Sequence, residues 1–172
     1  DTVTGTVRMV SRVDAADGTI RRGEAFDPRI SADGRRVAFT FEADGPSHIF
    51  VRDLATDRLL PVDRGEGPDG PTANGSSSAP SISDDGTRVA FITEATNLGD
   101  GDTDAQEDEH VRDLPTGSTI LASRADGAAG AKANNETRNA EISGDGRGVA
   151  FETAATNLGD GDDDAATDIH VR

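Results

Sequence analysis

Two segments of this 172-residue chain carry three aspartates at alternate positions and a fourth four residues further on. Asn97-Leu-Gly-Asp-Gly-Asp-Thr-Asp-Ala-Gln-Glu-Asp108 aligns with Asn157-Leu-Gly-Asp-Gly-Asp-Asp-Asp-Ala-Ala-Thr-Asp168. Asp stands at positions one, three, five and nine of each: Asp100, Asp102, Asp104 and Asp108, then Asp160, Asp162, Asp164 and Asp168. Alternate side chains of a tight loop converge, which gathers hard oxygen ligands at one point. Ca²⁺ takes six to eight oxygens at about 2.3–2.6 Å, and the position-seven carbonyl of Gln106 or Ala166 would add one more. The spacing predicts two Ca²⁺ sites per chain and none in the first repeat. Position twelve holds Val111 or Val171 instead of a bidentate Glu, which excludes an EF-hand. The competing reading is a solvated acidic turn that discourages pairing at a sheet edge. Against it, carboxylates about 4 Å apart repel by roughly 1 kcal/mol per pair even in a water-like dielectric.

Other residues with chemical potential read as structural. His110 and His170 share a repeat position with Phe50, and a position that accepts Phe is a packing position. No Gly-x-Ser-x-Gly elbow is present, no His is spaced to serve a Ser, and no Gly-rich phosphate loop precedes a helix. Arg12, Arg64 and Arg124, with Arg52, Arg112 and Arg172, are expected to pair with Asp53, Asp113 and their neighbours across strands. The chain is therefore read as non-catalytic.

The elements that must hold these residues repeat three times. Asp1, Asp53 and Asp113 each open a gap-free stretch of matching sequence ending at Phe39, Phe91 and Phe151. The units are 1–52, 53–112 and 113–172. A repeat at this period decides the architecture before local propensity does, because each unit buries its apolar face only against a neighbour. The apolar share is 33%, low enough that no unit could build a core of its own. The recurrence of apolar positions in register argues against disorder. A net charge of −16 disfavours nucleic acid and favours cations or basic surfaces. There is no cysteine, and no run is long enough to span a membrane. No secretory signal is present, though a mature chain could have lost one.

Each unit reads as short strands separated by turns. Ile30, Ile82 and Ile142 end very short strands; Ser31-Ala-Asp-Gly34, Ser83-Asp-Asp-Gly86 and Ser143-Gly-Asp-Gly146 mark tight turns. Arg36-Val-Ala-Phe39, Arg88-Val-Ala-Phe91 and Gly148-Val-Ala-Phe151 follow, then strands ending at Val51-Arg52, Val111-Arg112 and Val171-Arg172. Leu59–Val62 and Thr119–Ser123 supply outer strands. The fold class is all-β, with four antiparallel strands per unit and three units. Val37, Phe39, Val89, Phe91, Val149 and Phe151 are expected to be buried between them.

Ser-x-Asp-Gly, then Arg-x-Val-Ala-Phe, then Val-Arg-Asp-Leu resembles the TolB-type, WD-repeat-like β-propeller repeat, over nearly the whole chain. The resemblance implies three blades of four strands. It also implies a ring whose mouth binds a protein or peptide, in a periplasmic or extracellular setting. The acidic loops look like the Asp-x-Asp-x-Asp-Gly-x-x-Asp loop of integrin-type propellers, with Ala105 and Ala165 where Gly is usual. Asp102, Asp104 and Asp108 also match the family's own Asp-x-Asn/Asp-Gly-x-x-Asp segment, and this second resemblance implies acids that tie the loop by hydrogen bonds alone. Three blades are too few to close a ring, since propellers have about four to eight. Residues 5–12 align with the outer strand of the second blade and are expected to complete the last blade. Two chains would then make one six-bladed ring, a homodimer; a piece of a longer propeller is the other possibility. The expected function is a non-catalytic binding or scaffolding module. The propeller part of a prolyl-oligopeptidase-like hydrolase, or a purely structural assembly module, is the alternative.

Overall fold

The computed structural model of the protein describes residues 2–12, 23–99, 101–159, 161 and 164–172. Eleven strands form three antiparallel sheets, and no helix occurs among the described residues. The first sheet contains β1 (Glu24–Ile30), β2 (Arg36–Glu42), β3 (His48–Asp53) and β4 (Leu59–Pro61) in sequential order. The second contains β5 (Ser77–Ile82), β6 (Arg88–Thr93), β7 (Asp108–Asp113) and β8 (Ser118–Leu121), also sequential. The third contains β9 (Thr137–Ile142), β10 (Val149–Thr153) and β11 (Asp168–Val171).

The Ser-x-Asp-Gly motif builds the first turn of each blade. Ser31, Ser83 and Ser143 donate from Oγ to Asp33, Asp85 and Asp145 at 2.6, 2.8 and 2.6 Å. Those carboxylates accept the backbone N–H of Arg35, Thr87 and Arg147. The glycine that closes each turn is left-handed, with φ of 69°, 68° and 70° at Gly34, Gly86 and Gly146. Serine and aspartate are thus consumed by turn chemistry, as the sequence indicates. Register is the same in every copy: Phe39 faces Phe50, Phe91 faces His110, and Phe151 faces His170. The histidines stack on phenylalanine with ring centroids 5.8 and 5.9 Å apart, which bears out the packing role.

The innermost strands each carry a bulge. Asp27, Ala79 and Asn139 occupy equivalent positions with φ of 51°, 50° and 52°. The pairing to β2, β6 and β10 shifts there. An extra residue bends the strand and increases its twist, and three bulges in register give the three inner strands one shared curvature.

Two buried clusters fill the spaces between blades. Ala38, Ile49, Val51 and Val62 of the first blade meet Val89, Phe91, Ala95 and Leu98 of the second. Ala90, Ile92, Val111 and Ala122 of the second meet Val149, Phe151, Ala155 and Leu158 of the third. All six valines and phenylalanines expected in the core are buried.

Residues 6–12 form no strand within this single chain. They lie against the first blade: Arg52 Nε donates to Val10 O at 2.9 Å, and Arg8 bonds to Leu54 O and pairs with Asp57. Among the described residues β11 has only β10 as a neighbour.

Candidate functional site

The acidic loop of the second blade leaves β6 and returns as β7, so it projects from the end of the blade opposite the Ser-x-Asp-Gly turn. Asp102, Asp104 and Asp108 converge there, each offering an oxygen within 4.8 Å of the others. Asp102 and Asp108 are buried, while Asp104 is exposed. Asp104 Oδ1 also accepts the N–H of Gln106 at 3.0 Å, which tightens the loop. Asp100, Asp160 and Asp162 lie outside the described residues. In the third blade, Asp164 and Asp168 are both exposed, and Asp164 accepts the N–H of Ala166 at 2.7 Å. Among the described residues, the third loop assembles no comparable cluster.

The cation at the second loop belongs to the chain itself. Lys132 Nζ lies 2.6 Å from Asp108, 2.7 Å from Asp104 and 3.6 Å from Asp102. Lys132 is the chain's only lysine. It sits in the loop entering the third blade, where Asn157 Nδ2 donates to its carbonyl at 2.7 Å. The ammonium therefore links the second and third blades. Burial pushes the carboxyls of Asp102 and Asp108 upward against the pull of Lys132. The hydrogen bond from Lys132 holds Asp104 below its ordinary range. Burial works against the lysine's charge, but its bonds to Asp104 and Asp108 outweigh that and raise its pKa.

The repeat explains part of this geometry. Asp108 Oδ1 accepts from Ser123 Oγ at 2.7 Å. The equivalent pair in the first blade is His48 Nδ1 and Asp63 Oδ2, also 2.7 Å apart. The acid stands at the start of the third strand in the second blade and two residues beyond the outer strand in the first, and its partner takes the other place in each. This exchange could be found in the sequence by aligning residues 48 with 108 and 63 with 123.

Glu109, next in sequence to Asp108, is fully buried. Its repeat equivalent is Ile49, in the apolar cluster between the first two blades. The arginines meet expectation only in part. Arg12 and Arg52 reach Asp57, close to Asp53, at 3.6 and 3.5 Å, while Asp53 and Asp113 themselves are met by Arg36 and Arg88, at 3.5 and 3.2 Å. Arg112 instead donates to the carbonyls of Arg64, Gly65 and Gly67 at 3.1, 2.8 and 2.8 Å. Arg172 makes the same contacts with Arg124, Ala125 and Gly127. A planar fork of donors suits a row of carbonyls in a glycine-containing loop.

No protein-family model matches the chain, and no curated protein matches it by sequence. Solved structures do. TolB from Acinetobacter baumannii aligns at 18% identity with a TM-score of 0.51, over 92% of this chain and 33% of that one. The β-propeller domain of the Trilobed protease from Pyrococcus furiosus, described as having an open velcro topology, aligns at 20% identity with a TM-score of 0.50. That match covers 78% of this chain and 35% of the other. The fold is a β-propeller. Within that class it is TolB-like, and the chain spans about a third of the length of either structure.

Proposed function

We propose that this chain is a non-catalytic propeller module, exported to the periplasm or beyond, that binds a protein or peptide at the mouth of a ring. The observation that carries this reading is the aligned set of bulged inner strands, with Arg29 and Arg138 exposed beside the left-handed residues. Strained, solvent-facing backbone repeated around one axis is a feature of recognition surfaces. Peptides selected by display on the wild-type protein should lose binding to Arg138→Glu by roughly ten-fold, the scale of one charged contact. Selection without enrichment, or peptides indifferent to that change, overturns the reading. A propeller attached to a hydrolase is the second reading, supported by the likeness to the Trilobed protease domain.

Ca²⁺ remains the proposed ligand of the acidic loops, supported by their spacing. Three converging carboxylates suit a hard cation, but at the second loop Ca²⁺ would have to displace Lys132. Lys132→Met should destabilise the protein by about 3 kcal/mol at pH 7, because buried Asp102 and Asp108 lose their counter-charge. Millimolar Ca²⁺ should then raise the melting temperature of the EDTA-stripped variant more than that of the wild type. If Ca²⁺ shifts neither melting curve, the loops are acidic turns.

A further inference from the structure

An amine and a carboxyl stand in contact, away from water, at the junction of the second and third blades. Lys132 Nζ lies 2.6 Å from Asp108 Oδ2; the Asp108 side chain is wholly buried and that of Lys132 is 16% exposed. The other oxygen of Asp108, Oδ1, accepts a hydrogen bond from the buried Ser123 Oγ at 2.7 Å. A second wholly buried carboxylate, Asp102, lies 3.6 Å from Nζ. The exposed Asp104 also holds Nζ, at 2.7 Å.

The backbone fixes Lys132 at this spot. Its carbonyl accepts from Asn157 Nδ2 at 2.7 Å, and the residue bridges Arg124 across the entry loop. Thr72 is held in the same way at the first junction, by Asn97 and Arg64. The repeat therefore presents residue 132 to the acidic loop, and the side chain found there is the chain's only lysine. At the first junction the aligned residues are His48, Asp63 and Thr72, a set without an amine.

We propose that Lys132 and Asp108 join in an isopeptide bond, a covalent staple between the second and third blades. The bond is independent of what the module binds. It is a condensation: one ammonium and one carboxylate give one amide and one water, with no oxidant or cofactor. Burial disfavours both charges, so a proton passes from Nζ to the Oδ2 it touches. The neutral amine then adds to Cγ. The charge that develops on Oδ1 meets the Ser123 hydroxyl. Asp102 takes the surplus proton from the nitrogen and passes it to the Oδ2 hydroxyl, which leaves as water, and Oδ1 returns to a carbonyl oxygen. Condensation is unfavourable for separate molecules in water. Groups held in contact gain an effective concentration of about 10⁵–10⁸ M. The dry site also leaves little water to reverse the step. A chain without cysteine has no disulfide to brace its small core, and an amide does so in any redox setting. Nζ is then fixed where Ca²⁺ would have to enter the second loop, while the third loop is unaffected.

Intact-mass spectrometry of the folded wild type, Lys132→Arg and Asp102→Asn tests this. After days at neutral pH the wild type should be lighter than its sequence by one water. A protease digest should then yield a branched peptide that joins Asp108 to Lys132. Lys132→Arg keeps the counter-charge but has no nucleophilic amine, and should keep its full mass. Asp102→Asn should slow the loss of water by roughly a hundred-fold, because the proton relay is gone. A wild type at its full sequence mass overturns the bond. So does a loss of water that persists in Lys132→Arg, which marks cyclisation at one of the chain's Asp-Gly pairs. A branch at Lys132 that forms equally fast in Asp102→Asn leaves the bond standing and overturns the relay.

Discussion

Arg112→Ala should lower the melting temperature by on the order of 10 °C. The side chain is 3% exposed, and its guanidinium serves three carbonyls and the hydroxyl of Thr119. Removing it strands those acceptors where water reaches them poorly. Hydrogen bonds to charged groups contribute about 1.5–3 kcal/mol each and are not additive, so a total loss of about 3–4 kcal/mol is reasonable. At roughly 2–4 °C per kcal/mol for a chain of this size, that becomes the stated shift. Arg172→Ala removes the equivalent set from a more exposed position and should shift melting by less. Equal shifts for the two variants, or a change under about 3 °C for Arg112→Ala, would show that the clasp contributes little.

Glu109→Ile should stabilise the protein, and the gain should grow with pH. Burial, and secondarily the charge of Asp108, pushes the Glu109 carboxyl well above its ordinary range. The folded state therefore holds a proton that the unfolded chain has already released. Stability is intact below the unfolded value and falls as pH rises from there toward the folded value. Isoleucine has no proton to lose and matches the apolar position that Ile49 fills in the first blade. The difference in melting temperature between variant and wild type should be small near pH 4 and reach roughly 5 °C or more at pH 7. Glu109→Gln should remove the pH dependence while keeping a buried polar group. A pH-independent gain would mean that folding does not raise the carboxyl's pKa, and a loss would mean that the carboxyl has a favourable partner in the junction.

The repeat made most of the fold legible. In-register Ser-x-Asp-Gly and Val-Ala-Phe segments identified the turns, the strands and the six buried valines and phenylalanines, because each copy tests the others. The convergence of Asp102, Asp104 and Asp108 was also readable, since alternation in a short loop leaves little choice. Their partner Lys132 is not legible in the sequence. It enters from the loop of the next blade, 24 residues beyond Asp108, and no local pattern encodes that contact. The carbonyl-binding role of Arg112 and Arg172 is hidden for a related reason. Sequence spacing suggests charge partners, while the structure supplies backbone carbonyls that every residue possesses. Glu109 follows the acidic loop directly in the sequence, and only its alignment with Ile49 carries the information that it faces inward.

The stagger between repeat and sheet has a consequence for how such a chain can grow. Unit 53–112 begins with β4, which belongs to the first sheet, and ends with β7, which belongs to the second. Arg112 ties the end of the unit back to the loop near its beginning. Each unit is therefore laid like a roof tile, overlapping its predecessor by one strand. A duplicated tile brings with it the strand that completes the sheet before it and leaves an identical edge for the tile after it. Recombination at the Arg-Asp boundary can lengthen or shorten the arc without inventing a connection, so blade number is a matter of copy count.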